Sequence, residues 1–230
     1  MAVVTEGEDA GTAGYWEGRV LYRDADMLVL DKPNRLPLYR GPGGGAVLAD
    51  ILGLLRFGLC EDPVPAHRLD AATSGCLVLG RHRRARQRLG AWFASGAVGK
   101  RYQAVVCGSP PQPQGSISAP VLDRGWRGRP RMVVQWNGRT ASTRYACLHQ
   151  GPGWTRLLLE PEEGRTHQLR VHCAWLGMAI LGDPLYGPPG RTDLPLHLHA
   201  CAVTLPLESG ALTICAPLPE HLRMPVGVSG

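Results

Sequence analysis

Short runs of strand-forming residues recur along the 230-residue chain, while helical spacing is rare. The strand-like runs fall at residues 19–23, 27–30, 76–79, 101–106, 132–136, 142–148, 154–160, 199–205 and 211–215. Apolar residues at helical spacing occur only over 46–57, 84–93 and 166–176. Parallel neighbours need a crossover of a dozen or more residues, usually a helix. Three helices cannot supply one for every pair of strands. The pattern therefore predicts an α+β fold with a mixed, largely antiparallel sheet.

A chain of this length can bury a substantial core. Its residues are 44% hydrophobic and 19% charged. No apolar run approaches the roughly 20 residues a membrane-spanning helix needs, so membrane-spanning and disordered classes are both disfavoured. The opening MAVVTEGEDAGTAG lacks the basic start and apolar stretch of a secretory signal, which predicts a cytoplasmic protein. Seven cysteines, at 60, 76, 107, 147, 173, 201 and 215, are scattered and never spaced as CxxC. That argues against a disulfide framework and a zinc knuckle, and reads as small hydrophobes.

Charge points to an anionic partner. Lys and Arg number 25 against 19 Asp and Glu, a net charge of +6, and residues 15–230 alone carry +9. Only Lys32 and Lys100 among the basic residues are lysines. The long connection 108–131 holds Arg124, Arg127, Arg129 and Arg131 around Trp126. Two readings stay open for it, a solvated basic loop or an arm that grips phosphates and stacks an aromatic on a base.

Four segments carry potential chemistry. Residues 41–46, GPGGGA, formally satisfy a dinucleotide-binding pattern, but no buried strand precedes them, so a loop entering a helix is expected. In HRLDAATSG, Asp70 stands just before an apolar strand. A nearby guanidinium such as Arg68 would hold it ionised, as a nucleophile or base requires; a turn capped by this carboxylate is the alternative. In KRYQAVV, Tyr102, Ala104 and Val106 share one strand face, so Tyr102 is either a flat platform or a core tyrosine. In the segment from Gly164 to Gly177, Thr166 is a fair N-cap, Leu169, Cys173 and Leu176 form an apolar stripe, and Gly177 ends the helix. His167 and His172 are five apart, off the spacing of a helical zinc pair. The helix start with Arg165 can instead hold a phosphate.

Together and in this order, the last three of these segments resemble the RluA family of RNA pseudouridine synthases. HRLDAATSG matches that family's HRLDxxTSG, KRYQAVVCG its KxYxAxVxG, and GRTHQLRVHCAWLGMAILGDPLYG its GRTHQIRVHxxxxGHPIxGDxxYG. LHLHACAVTLPLE and APLPEHL fit its late strand and Pro-rich ending. The likeness runs from about Gly18 to Leu222. It implies one catalytic domain over 18–222 on a bent mixed sheet, with 1–17 a flexible leader and 223–230 a tail. No separate N-terminal RNA-binding domain is expected, a feature shared with the RluA subgroup, which acts on a tRNA anticodon-loop uridine and on large-subunit rRNA.

The resemblance implies Asp70 as the reacting carboxylate, Tyr102 as the surface on which the uracil stacks, and Arg170 as the partner of Asp70. Arg68, Arg165, His167, Arg124, Arg127, Arg129 and Arg131 are expected to contact RNA, Arg68 by filling the gap left by a flipped uridine or by holding a phosphate. No cofactor or metal is implied, no membrane and no protein partner, and a monomer is expected. The alternatives are a catalytically silent RNA-binding or RNA-folding protein and another enzyme acting on N-glycosidic bonds. The family's KPxGLxVH reads Lys32-Pro-Asn-Arg-Leu-Pro-Leu-Tyr39 here, and Met178 replaces the usual histidine. Both departures bear on substrate more than on activity.

Overall fold

The structure, a computed structural model, describes residues 12–41, 44–125, 131–188 and 193–223. The elements in chain order are helix α1 (Ala13–Glu17), strands β1 (Val20–Arg23) and β2 (Met27–Lys32), a 3-10 helix (Leu48–Leu55), β3 (Val64–Pro65), β4 (Ser74–Gly80) and α2 (Arg83–Ala94). Then come β5 (Gly99–Cys107), β6 (Gln114–Ser118), β7 (Val121–Asp123), β8 (Met132–Val134), β9 (Ser142–Gly151) and β10 (Trp154–Pro161). The chain closes with α3 (Gln168–Trp175), β11 (Leu198–Leu207), β12 (Gly210–Cys215) and α4 (Glu220–Arg223).

A ten-stranded sheet runs β1-β2-β4-β11-β5-β10-β9-β6, with β12 beside β11 and β3 beside β4. Among its strand pairs β4 with β11 is parallel and the others are antiparallel. This is the mixed, largely antiparallel α+β architecture that the scarcity of helices predicts. β10 shows why its residues form a strand with one wet face: Thr155, Leu157 and Leu159 are fully buried, while the residues between them are only partly covered. β4 lies inside the sheet and is buried along its whole length, so it reads as a continuous apolar run.

Two apolar clusters support the sheet. One packs β2, β4 and the 3-10 helix with α1 and α2; the other packs β5, β9 and β10 against α3. Tyr102 touches both, so it stands at the seam between the halves. Gly75 brings β4 and β11 together there: its φ is +102°, and a Cβ would lie 2.3 Å from the Ala200 carbonyl oxygen. The Asp70 loop, which feeds into β4, is thereby seated against β11.

Several local expectations are corrected. Residues 13–17, assigned to a flexible leader, form α1, and Trp16 is buried in the larger cluster, a tertiary contact that no local pattern announces. Residues 46–57 hold a 3-10 helix, not an α-helix. The connection 108–131 contains β6 and β7, both short and poor in the alternation that marks a strand. The N-cap of α3 is His167, not Thr166, and its side chain makes no capping bond. Gln168 Oε1 instead accepts the Arg165 backbone N–H at 3.0 Å.

Candidate active site

The loop between β3 and β4 carries Asp70 and is fastened at both ends. His67 Nε2 accepts the Val78 backbone N–H at 3.0 Å, and its ring stacks on Phe93 at 4.3 Å. Beyond Asp70, the Thr73 N–H closes a turn onto the Asp70 carbonyl oxygen at 3.0 Å. The turn thus uses the backbone of Asp70 and leaves its carboxylate to a cleft shared with Tyr102, Arg68, Arg165, His167 and Arg170. Buried Lys32 lies beneath the loop and donates to the carbonyl oxygens of Pro33, Leu36 and Ala71 at 2.8, 3.0 and 3.1 Å. Burial pulls its pKa down to about 7, against the opposing charges of Asp70 and Asp31.

The guanidinium that reaches Asp70 comes from α3. Arg170 Nη1 donates to Asp70 Oδ2 at 3.2 Å, whereas Arg68, the neighbour in sequence, is exposed on the cleft wall. Arg170 is itself buried, and its other nitrogens grip Asp183: Nε to Oδ2 at 2.7 Å and Nη2 to Oδ1 at 2.8 Å. This fork-to-carboxylate geometry fixes the guanidinium plane, so the third contact points one way. Asp183 Oδ1 also accepts the backbone N–H groups of Leu185 and Tyr186. The same carboxylate therefore shapes the turn that presents Tyr186.

His167 stands beside this pair in a left-handed conformation, with φ at 52°. Its Nε2 is 3.7 Å from Asp70 Oδ2, and its Nδ1 is 2.9 Å from the Tyr186 hydroxyl. Burial lowers its pKa, and Arg170 and Arg68 add to that against the pull of Asp70 and Asp183. Tyr102, on β5, lines the same cleft, and Ala104 and Val106 continue its strand face into the core. Burial and the charge of Asp70 raise its phenol above the ordinary value, so it stays protonated at neutral pH.

The basic residues divide. Arg68 and Arg165 line the cleft. Arg165 Nε donates to the Thr140 carbonyl oxygen at 3.0 Å, which ties it to the connection after β8. Arg124 and Arg131 are exposed at the end of the β7–β8 hairpin, where the Arg124 N–H meets the Arg131 carbonyl oxygen at 2.9 Å. Trp126, Arg127 and Arg129 lie outside the described residues. Sequence reasoning missed Lys32, Asp183 and Tyr186. Asp183 had a signal: it is the only acid between Glu163 and Asp193, and a buried arginine needs a counter-charge.

A carboxyl group, an arginine bonded to it and an aromatic ring in one cleft suit a reaction on a flipped base. Residues 26–175 match the family described as RNA pseudouridylate synthase. The chain belongs to that family. An RNA pseudouridine synthase of Zymomonas mobilis, itself uncharacterized, is 38% identical over 211 residues, 88% of this chain and 94% of its own. The dual-specificity RNA pseudouridine synthase RluA of Pasteurella multocida is 37% identical, covering 86% of this chain and 92% of that one. Among solved structures, human RNA pseudouridylate synthase domain containing 4 superposes with a TM-score of 0.79 at 26% identity, over 92% of each chain. The protein is accordingly an isomerase that converts uridine to pseudouridine in RNA.

Proposed function

We propose that Asp70 is the carboxylate that reacts, that the uracil stacks on Tyr102, and that Arg170 pairs with Asp70 and aims it. The observation that carries this reading is the shared cleft: the Asp70 carboxylate, bonded at 3.2 Å by an arginine that Asp183 holds rigid, faces the same space as the Tyr102 ring. Pseudouridine formation breaks the bond between uracil N1 and ribose C1′ and joins C1′ to C5. The C5 hydrogen leaves as a proton and N1 gains one, so nothing is oxidised. Asp70 serves as the reacting carboxylate beside ribose and base whether it attacks C1′, adds to C6 or removes a sugar proton. A π-face contact survives rotation of the detached base in its own plane, which lets Tyr102 retain the uracil while it turns. Arg68 and Arg165, which line the cleft, hold the RNA backbone around the flipped nucleotide, while His167, expected from the sequence to contact RNA, turns its ring nitrogens to Tyr186 and Asp70.

The substrates we infer are a tRNA anticodon loop and large-subunit rRNA, acted on in the cytoplasm by a monomer. The dual-specificity names of two relatives that this chain matches over most of their length support two RNA targets. No described helix is long and apolar enough to cross a membrane. The test is to incubate the purified chain with unmodified tRNA and with large-subunit rRNA fragments and to map pseudouridine at single-nucleotide resolution. Modification of one anticodon-loop uridine and one rRNA site is expected. Modification confined to an unrelated RNA would overturn the substrate assignment and leave the reaction class standing.

A further inference from the structure

We propose that Tyr186 fixes the single ring proton of His167 on Nε2, so that an N–H faces Asp70, and that His167 and Arg170 together hold one carboxylate oxygen and leave the other to the substrate. His167 and Tyr186 are thus positioning residues, and the proposal rests on Asp70 being the reacting carboxylate.

The proton assignment follows from a count of donors. A phenol has one proton. The Tyr186 oxygen already accepts the Met132 backbone N–H at 2.9 Å, a donor whose direction the chain fixes. Its other hydrogen-bond neighbour among the described residues is His167 Nδ1, at 2.9 Å. Were Nδ1 protonated, the oxygen would accept twice and its own proton would find no acceptor among the described residues. Tyr186 therefore donates to Nδ1, and the proton of a neutral imidazole must then sit on Nε2. The ring is kept neutral by its burial and by the neighbouring guanidinium of Arg170.

The direction of that proton matters because Nε2 lies 3.7 Å from Asp70 Oδ2, the same oxygen that Arg170 Nη1 approaches at 3.2 Å. A lone pair there would repel the carboxylate; an N–H attracts it, and separations of this kind shorten when substrate closes the site. Among the described residues the hydrogen bond to the Asp70 carboxylate goes to Oδ2, and none reaches Oδ1. Two donors on Oδ2 present Oδ1 to the ribose and base. Tyr186 is itself held rigidly: Asp183 Oδ1 accepts its backbone N–H at 3.1 Å, and the Arg170 guanidinium lies 5.3 Å from its ring centre. Because Met132 opens β8, the same hydroxyl ties the basic hairpin to His167.

Two substitutions of His167 separate this role from a backbone one. At φ 52° the backbone favours Asn over Gln, since Asn tolerates the left-handed region. The side-chain nitrogen of Gln, however, falls near the place of Nε2, and that of Asn near Nδ1. Under single-turnover conditions His167→Gln is expected to retain activity within several-fold, and His167→Asn to lose roughly tenfold or more. A purely structural role predicts the reverse order, and that result would overturn the proposal. Nitrogen NMR of the histidine rings in the full chain gives a second reading. The Nε2–H form is expected for His167 in the parent and a loss of that preference in Tyr186→Phe; an Nδ1–H form in the parent, or no change in the variant, would overturn it. If instead Asp70→Asn remains active while these results hold, the assignment of Asp70 fails, not the tautomer.

Discussion

Arg170 gives Asp183 two hydrogen bonds, at 2.7 and 2.8 Å, and Asp70 one, at 3.2 Å. The side chain of Asp183 is wholly buried, whereas 18% of that of Asp70 is exposed to the cleft. The guanidinium thus belongs structurally to Asp183, and Asp70 takes the remaining contact. Removing one member of a buried pair strands the other charge and costs about 3–5 kcal/mol. Asp183→Asn should therefore destabilise the protein by about 3 kcal/mol, while Asp70→Asn should cost much less. Urea unfolding of both variants checks this, and equal losses would mean that Arg170 is shared evenly.

Tyr102→Phe keeps the stacking face and removes the hydroxyl, whereas Tyr102→Ala removes both. Base–aromatic stacking is worth about 1–3 kcal/mol, so Ala should lose roughly 10- to 100-fold in turnover and Phe far less. Single-turnover rates on one RNA decide it. Equal losses would assign the work to the hydroxyl, as a proton-transfer group.

Three histidines, His67, His199 and His221, have their pKa pulled down to about 4 by burial. Their folded values lie below the ordinary imidazole value, so under mildly acidic conditions the unfolded chain binds protons that the folded chain does not. Stability should be unaffected by these groups above about pH 6.5 and should fall as pH drops from there to about 4. Urea midpoints at pH 7.5, 5.5 and 4.5 are the measure. His199, whose Nδ1 bonds Ser74 Oγ at 2.9 Å, offers a control: His199→Asn should flatten the pH dependence. A parent chain equally stable at all three pH values would contradict the burial argument.

What the sequence displayed, and what it hid, follows from the range of the interactions involved. Strands such as β10 were legible because alternation is local, and Asp70, Tyr102 and Arg170 because the segments around them resemble a family pattern. The identity of Arg170's main partner was not legible, since it depends on a turn 13 residues away folding back over α3. The position of Lys32 beneath the Asp70 loop depends on a contact 39 residues distant. Trp16 was hidden for the same reason: a five-residue helix has no periodicity to detect, and its burial is decided by the 3-10 helix it meets.

If the basic segment 124–131 grips phosphates, the salt dependence of RNA binding reports it. Removal of one arginine–phosphate interaction should flatten the plot of log affinity against log salt by somewhat under one unit, by analogy with duplex DNA. Changing Arg127 and Arg129 together to Ala should weaken RNA binding at low salt and reduce that slope, with the fold unchanged. Filter binding at several salt concentrations measures both. A double variant that matches its parent in affinity and slope would leave RNA binding to Arg68, Arg165 and the cleft.

Asp70→Asn removes the charge and keeps the size of the side chain at the centre of the site. The direct test is tritium release from RNA labelled at uracil C5, because joining C1′ to C5 sends that hydrogen to solvent. With enzyme in excess over RNA, the parent should release tritium in step with pseudouridine formed. Asp70→Asn should release none while binding the RNA with an affinity within several-fold of the parent's. Release by the variant above about one part in a thousand of the parent rate would contradict the assignment of Asp70 as the reacting carboxylate.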